Sequence, residues 1–270
     1  MNRNGQEFLA RIVAAKKAEV ARRKQAVPLA ALKDRLAQAP PVRSLRQRLQ
    51  QPGFHFLCEV KKASPSRGVI QPDFDPLARA LAYQQGGADG ISVLTDGPFF
   101  QGSLAHLQQV RRAVDLPVLR KDFIIDPYQL YESRAAGADV VLLIARILSP
   151  GQLQELADLT ARLGMEALVE VHQEEELAAL PEGPHLMVGV NNRNLRTFTV
   201  SLETSLRLAP LLPAGLPAIS ESGIREPEQC RRLYRAGFCG ALIGEWLMRS
   251  PDPAAALQRL KMGVSRAYAD

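Results

Sequence analysis

Eight short apolar segments, each followed by a stretch of helical period, predict an α/β protein: a closed (β/α)8 TIM barrel with an N-terminal helical extension. Three observations carry that expectation. The apolar segments are four to six residues long, as expected of strands covered on both faces. Several helical stretches stop at a glycine (Gly86, Gly137, Gly164, Gly237) just before the next strand. Parallel strands joined by helices need right-handed crossovers, and eight such units within roughly 200 residues match a closed barrel. An open doubly wound sheet is the alternative. No Gly-x-Gly-x-x-Gly follows the first strand, however, and there is no phosphate-loop lysine motif.

Taken in order, Phe8, Leu9, Ile12, Val13 and Val20 recur at helical period with basic residues on the other face, which predicts a helix over 6–25. A second helix over 29–38 ends at Ala39-Pro40-Pro41, and 45–49 makes one more turn. This prefix, 1–50, is too small for a core of its own and is expected to pack over the rim of a barrel formed by 51–270. Strands are predicted at 56–60, 90–95, 117–121, 140–145, 167–171, 187–191, 217–222 and 241–244. Helices are predicted at 76–85, 104–113, 128–136, 151–163, 174–179, 202–211, 227–236 and 253–262.

Composition narrows the function. The 270 residues are 46% apolar and 23% charged, ordinary values for a globular protein. No apolar run approaches the roughly 20 residues that span a bilayer. Basic residues interrupt the N-terminus where a signal peptide would be apolar, so a cytoplasmic protein without a membrane partner is expected. The net charge of +6 is unevenly placed: residues 1–50 hold 12 Lys and Arg against 3 Asp and Glu, a net of +9. The remaining 220 hold 22 against 25, a net of −3, so the basicity belongs to one helical segment without interleaved aromatics. No nucleic-acid partner is expected. Cys58, Cys230 and Cys239 are scattered, and His55, His106, His172 and His185 form no metal-ligand pattern, so neither disulfide nor metal is expected.

Charged groups inside an apparently buried strand mark the site. Glu59 and Lys61 lie two residues apart and so point to one side of the first strand. Burying them unpaired would cost several kcal/mol. The Ser64-Pro-Ser-Arg67-Gly68 run that follows suits a loop over an anionic small molecule. Polar residues also end most other strands: Thr95-Asp96, Arg120-Lys121-Asp122, Glu170, Asn191-Asn192-Arg193, Ser220-Glu221-Ser222-Gly223 and Gly244-Glu245. In a barrel these ends share one rim, where function resides. Ser222 and Gly223 after the seventh strand, with Gly244 and Glu245 after the eighth, fit a phosphate cradle. Lysines and glutamates on that rim can serve as acids and bases, or a lysine as a Schiff-base nucleophile. No serine nucleophile elbow is present.

Read together, Cys58-Glu59-Val-Lys61-Lys-Ala-Ser64-Pro-Ser66, Leu94-Thr-Asp96 with Phe99-Phe100-Gln-Gly-Ser103, Leu119-Arg-Lys121-Asp-Phe123-Ile124, Leu168-Val-Glu170-Val171, Gly189-Val-Asn191-Asn-Arg193-Asn-Leu195, Ile219-Ser-Glu221-Ser-Gly223-Ile224 and Leu242-Ile-Gly244-Glu245 resemble the indole-3-glycerol phosphate synthases. The prefix run Ile12-Val-Ala-Ala-Lys16-Lys-Ala-Glu19-Val20 is similar as well. The resemblance spans almost the whole chain. It implies a carboxy-lyase of tryptophan biosynthesis that closes 1-(2-carboxyphenylamino)-1-deoxyribulose 5-phosphate to an indole, losing CO₂ and water, without metal or organic cofactor. By that resemblance Lys121 is the general acid and Glu170 the base of the dehydration. Lys61 stands by the phosphate and reacting carbonyl, and Glu59 and Asn191 orient substrate and lysines. Ser64, Arg193 and Glu221 contact substrate, Phe100 and Phe123 pack on its ring, and Ser222, Gly223, Gly244 and the backbone of Glu245 hold phosphate. Other phosphate-binding barrels, a sugar-phosphate isomerase or a Schiff-base aldolase, are the rival reading. A monomer or weak dimer is expected.

Overall fold

A computed structural model of the chain describes residues 3–194 and 197–265. Eight parallel strands close a barrel: β1 (His55–Val60), β2 (Gly90–Leu94), β3 (Val118–Lys121), β4 (Val140–Ile144), β5 (Glu166–Val171), β6 (Leu186–Asn191), β7 (Ala218–Glu221) and β8 (Gly240–Ile243). Each pairs with its sequence neighbours, and β8 pairs with β1 through His55 opposite Gly240 and Cys58 opposite Ile243.

Alternation along the strands splits the core in two. Leu57, Leu119, Leu142, Leu168, Met187, Ile219 and Leu242 point inward and fill the barrel. Phe56, Cys58, Val60, Val93, Val118, Val141 and Val169 point outward, under the helices. The inward parity continues past the apolar layer to Glu59, Lys121, Glu170, Asn191 and Glu221, and this delivers their side chains to the C-terminal mouth. Burial raises the thiol pKa of Cys58, pushes Cys230 up to about 12 and Cys239 up to about 11, so all three free cysteines stay as thiols in the packing.

Helices follow the strands at Pro76–Gln85, Leu104–Ala113, Pro127–Ala135, Pro150–Arg162, Glu174–Leu177, Glu203–Leu208, Pro227–Arg235 and Pro253–Ser265. Many begin with proline, whose missing N–H costs nothing in the first turn. Asp75, Asp126 and Ser149 cap the preceding position by accepting from backbone amides. The sixth helix is shorter than the 202–211 expected, because Ala209–Leu211 tightens into a 3-10 turn at Pro210. Three features escape the periodic pattern: the single turns Gly97–Phe100 and Glu245–Met248, and a two-residue hairpin ladder pairing Ala63–Ser64 with Gly68–Val69.

The extension comprises α1 (Arg3–Ala26), α2 (Leu29–Arg35) and α3 (Leu45–Leu49), and it touches both ends of the barrel. At the C-terminal rim, buried Lys16 of α1 lies 2.9 Å from Asp96 and 2.8 Å from Asp122, which follow β2 and β3. At the opposite end, Leu45 and Leu49 of α3 join the cluster that fills the barrel interior. Full burial of each stabilises by roughly 1.5–3 kcal/mol. Glu166, at the start of β5, accepts from the amides of Leu45 (2.9 Å) and Arg46 (3.0 Å), satisfying donors that the first turn of α3 leaves open. Among the described residues, no helix is long and apolar enough to cross a membrane.

Candidate active site

The inward-facing charged side chains meet as two linked groups at the barrel mouth. Lys61 Nζ donates to Glu59 Oε1 at 2.5 Å, so the same-side spacing read from the strand produces a direct pair. Across the mouth, Lys121 Nζ is held between Glu221 Oε2 (2.8 Å) and Glu170 Oε2 (3.0 Å). Two glycines make room. A Cβ at Gly244 would lie 2.4 Å from Glu59 Oε1 and 3.1 Å from Lys61 Nζ, and one at Gly189 would lie 2.2 Å from Glu221 Oε1.

These groups line a cavity of about 570 Å³, within the usual range for a small-ligand site. Phe100 and Phe123, with ring centroids 6.1 Å apart, stand on its wall with Leu94, Leu142 and Ile144. On the other side are Ser222 (φ 71°) and Gly223 (φ 84°), consecutive residues in left-handed conformation, together with Gly244. A non-glycine residue rarely adopts that conformation, and such strain gathers at ligand sites. Ser64 sits in the hairpin beyond β1, its hydroxyl 3.4 Å from that of Ser66, and lies outside the set that lines the cavity.

The Glu245 side chain does more than the backbone role expected of it. Its carboxylate meets Arg67 Nε at 3.0 Å and Arg193 and Arg249 at 3.7 Å each, so three guanidinium groups converge on it at the cavity edge. Arg193 thereby meets Glu245 at the cavity edge, and its backbone N–H donates to Asn191 Oδ1 at 2.9 Å.

Three carboxylates, Glu59, Glu170 and Glu221, share two ammonium groups, leaving an excess negative charge in a buried space. Burial alone would lower the Lys121 pKa, but Glu170, Glu221 and Glu59 outweigh it and raise it, so Lys121 is a cation. Burial likewise disfavours the Glu170 carboxylate, yet Lys121, His172 and a hydrogen bond from Asn191 hold its pKa below the ordinary value. Glu221 absorbs the imbalance. Burial chiefly, reinforced by Glu170 and Glu59 and opposed by Lys121, pushes its pKa up to about 7. Its Oε1 is buried with no hydrogen-bond partner among the described residues.

A raised carboxylate pKa means that the folded chain keeps a proton which the unfolded chain releases between the usual 4.5 and about 7. Stability therefore declines as pH rises through that window. Glu221→Gln should flatten the decline, measured as melting temperature against pH; an unchanged slope would place the titration elsewhere.

Several rim residues turn away from the cavity. Thr95 Oγ1 donates to Asp122 Oδ2 at 2.6 Å and Asp96 receives Lys16, so both belong to the seam with α1. Asn192 bonds Ser220 (2.9 Å) and Ser205 (2.9 Å) behind the barrel wall. Arg146 turns to Glu176 at 2.9 Å. Leu195 lies outside the described residues. Sequence reasoning missed His172, which is buried beside Glu170, although its spacing of two residues was the available signal. Among the described residues no cluster of three or more His, Cys, Asp or Glu could hold a metal ion.

The chain is similar to several known proteins. The family profile of indole-3-glycerol phosphate synthase matches residues 9–260. An indole-3-glycerol phosphate synthase of Salinibacter ruber is 49% identical over 245 residues, 90% of each chain. One of Desulfotalea psychrophila is 50% identical over 257 residues, covering 94% of this chain and 98% of that one. Among solved structures, tryptophan synthase subunit alpha from Legionella pneumophila superposes with a TM-score of 0.60 at 15% identity, over 82% of this chain and 98% of its own. The 3-hexulose-6-phosphate synthase of Salmonella typhimurium gives 0.62 at 11% identity, over 79% and 99%. Those two likenesses speak to the fold alone.

Proposed function

The chain belongs to the indole-3-glycerol phosphate synthase family, and from this membership and the cavity we infer how its side chains divide the reaction. The enzyme converts 1-(2-carboxyphenylamino)-1-deoxyribulose 5-phosphate to indole-3-glycerol phosphate with loss of CO₂ and water, a lyase step of tryptophan biosynthesis. The single observation that carries the division is Lys121 held between two carboxylates, facing the Glu59–Lys61 pair across an aromatic-walled cavity.

The phosphate rests on the backbone of Ser222, Gly223 and Gly244, while Phe100 and Phe123 flank the anthranilate ring. This fixes the ring carbon that bears the carboxylate against the ketone, converting flexibility into rate. Lys121 donates a proton to the ketone oxygen as the carbon–carbon bond forms, and CO₂ leaves as the ring regains aromaticity. In the dehydration Glu170 takes the proton from the carbon next to nitrogen, and Lys61 assists the departing hydroxyl. Glu59 orients Lys61, and Asn191 orients Glu170. Arg193, with Arg67 of the hairpin, steadies the substrate's anionic end at the cavity edge. The enzyme works in the cytoplasm as a monomer or weak dimer.

The decisive assay mixes purified protein with the carboxyphenylamino-deoxyribulose phosphate and follows indole fluorescence. A rise is expected; a folded, ligand-bound protein that gives none would overturn the assignment. In the same assay Glu245→Gln should lower KM a few-fold. The Glu245 carboxylate competes with the substrate's anions for Arg67, Arg193 and Arg249, and exposed pairs of this kind are worth roughly 0.2–1 kcal/mol each. A higher KM would mean that Glu245 instead holds the arginines in place for substrate.

A further inference from the structure

The reaction consumes a proton, and the chain carries a buried group placed to reload its acid between steps. The substrate's carboxylate leaves as neutral CO₂, so charge balance requires one proton taken up per turnover. The steps account for it: the ketone oxygen needs two protons to depart as water, and the carbon next to nitrogen returns only one, to Glu170.

His172 directly follows β5, two residues beyond Glu170, and only 8% of it is exposed. Its Nε2 is 3.4 Å from Glu170 Oε1 and its Nδ1 is 3.7 Å from Glu176 Oε2. Neither ring nitrogen has a hydrogen-bond partner among the described residues. Other histidines of the chain are anchored differently: His185 Nε2 and His55 Nε2 each lie 3.0 Å from a backbone carbonyl. The His172 backbone N–H donates to Glu176 Oε2 at 2.7 Å, and its ring stands between two carboxylates, Glu170 and Glu176. Behind Glu176, Arg146 Nε donates to Oε1 at 2.9 Å. The charged and polar groups facing this row are thus Glu170, Glu176 and Arg146, with Lys121 and Asn191 on the far side of Glu170.

We propose that His172 supplies, through Glu170, the proton that reloads Lys121 between ring closure and dehydration. Its Nε2–H passes to Glu170 Oε1, the ring becoming neutral. Glu170 then passes a proton from Oε2 to Lys121 Nζ, emptied by its donation to the ketone. When product leaves, Glu170 returns to Nε2 the proton it took from the substrate's carbon, and the one solvent proton taken up per turnover restores Lys61. Glu176 steadies the doubly protonated ring at Nδ1. No other co-reactant is needed. The inference rests on Glu170 and Lys121 acting as base and acid.

The test is turnover against pH for wild type, His172→Gln and Glu176→Gln. His172→Gln should lower kcat by roughly tenfold or more at pH 8, less at pH 6 where solvent protons substitute, with KM little changed. Imidazole in the buffer should restore part of the loss. Glu176→Gln keeps an oxygen to accept from the His172 amide, so it preserves the local fold while removing the charge behind the ring, and it should show the same pH-dependent defect more weakly. A loss equal at all pH values and insensitive to imidazole, or no loss in either variant, would overturn the inference. Glu170→Gln separates the two levels: full turnover in that variant would remove the underlying base assignment, whereas its inactivity beside an unimpaired His172→Gln would remove only the role of His172.

Discussion

Lys121→Ala is expected to lower kcat by about 10²–10⁴-fold, the range that a positioned general acid contributes, while KM changes far less. The reason is where the interaction acts. In the resting site the ammonium is already satisfied by Glu170 and Glu221, so it gains nothing from the ketone until negative charge develops on that oxygen. The substitution also leaves Glu170 and Glu221 facing each other without their shared cation, so the pair binds a proton more readily, Glu221 first. Lys121→Arg keeps the charge in a planar fork, and it should recover stability more than rate. Near-normal turnover of Lys121→Ala would end the assignment of Lys121 as the acid.

The second large effect is expected far from the cavity floor. Lys16→Met removes the cation that Asp96 and Asp122 share, leaving two buried carboxylates against α1. Breaking a buried pair from one side costs roughly 3–5 kcal/mol, which for a chain of this size lowers the melting temperature by about 10 °C. Burial works against the Asp122 carboxylate, but Arg120 and Lys16 overcome it and hold its pKa below the usual range. Its contribution is therefore present at neutral pH and fades as pH falls through the folded value, so the gap between variant and wild type should narrow in acid. Asp96→Asn in the same chain should recover part of the loss. Asp122 adjoins Lys121, and kcat should fall too. An unchanged melting temperature would mean that other contacts hold α1.

Strand order and mouth were legible because a barrel converts strict alternation into location. Glu59 and Lys61 two residues apart had to share a side, and so did Leu119 and Lys121 or Leu168 and Glu170. The pattern does not say which polar residue at a strand end bends inward. Thr95, Asp96 and Asp122 read like rim chemistry, yet Lys16, more than 70 residues earlier, binds both aspartates into the seam with α1. Glu245 could be placed by its neighbour Gly244 and lies one turn before Arg249, but Arg67 and Arg193 reach it from two distant loops. The turn Gly97–Phe100 is too short for a helical period, although its cap Asp96 was visible. The hairpin ladder rests on backbone pairing alone, which side-chain pattern does not encode.

The extension's grip on both barrel ends has a consequence for synthesis. The amide of Leu45 finds Glu166 121 residues later, and Lys16 waits for Asp122. The first 50 residues thus leave the ribosome well before their partners exist, carrying Leu45, Leu49 and a lysine destined for burial. Until β5 has emerged, α3 lacks the carboxylate that receives its first amides. The nascent chain is most in need of a chaperone over that interval, and slowing translation before residue 166 should lengthen it.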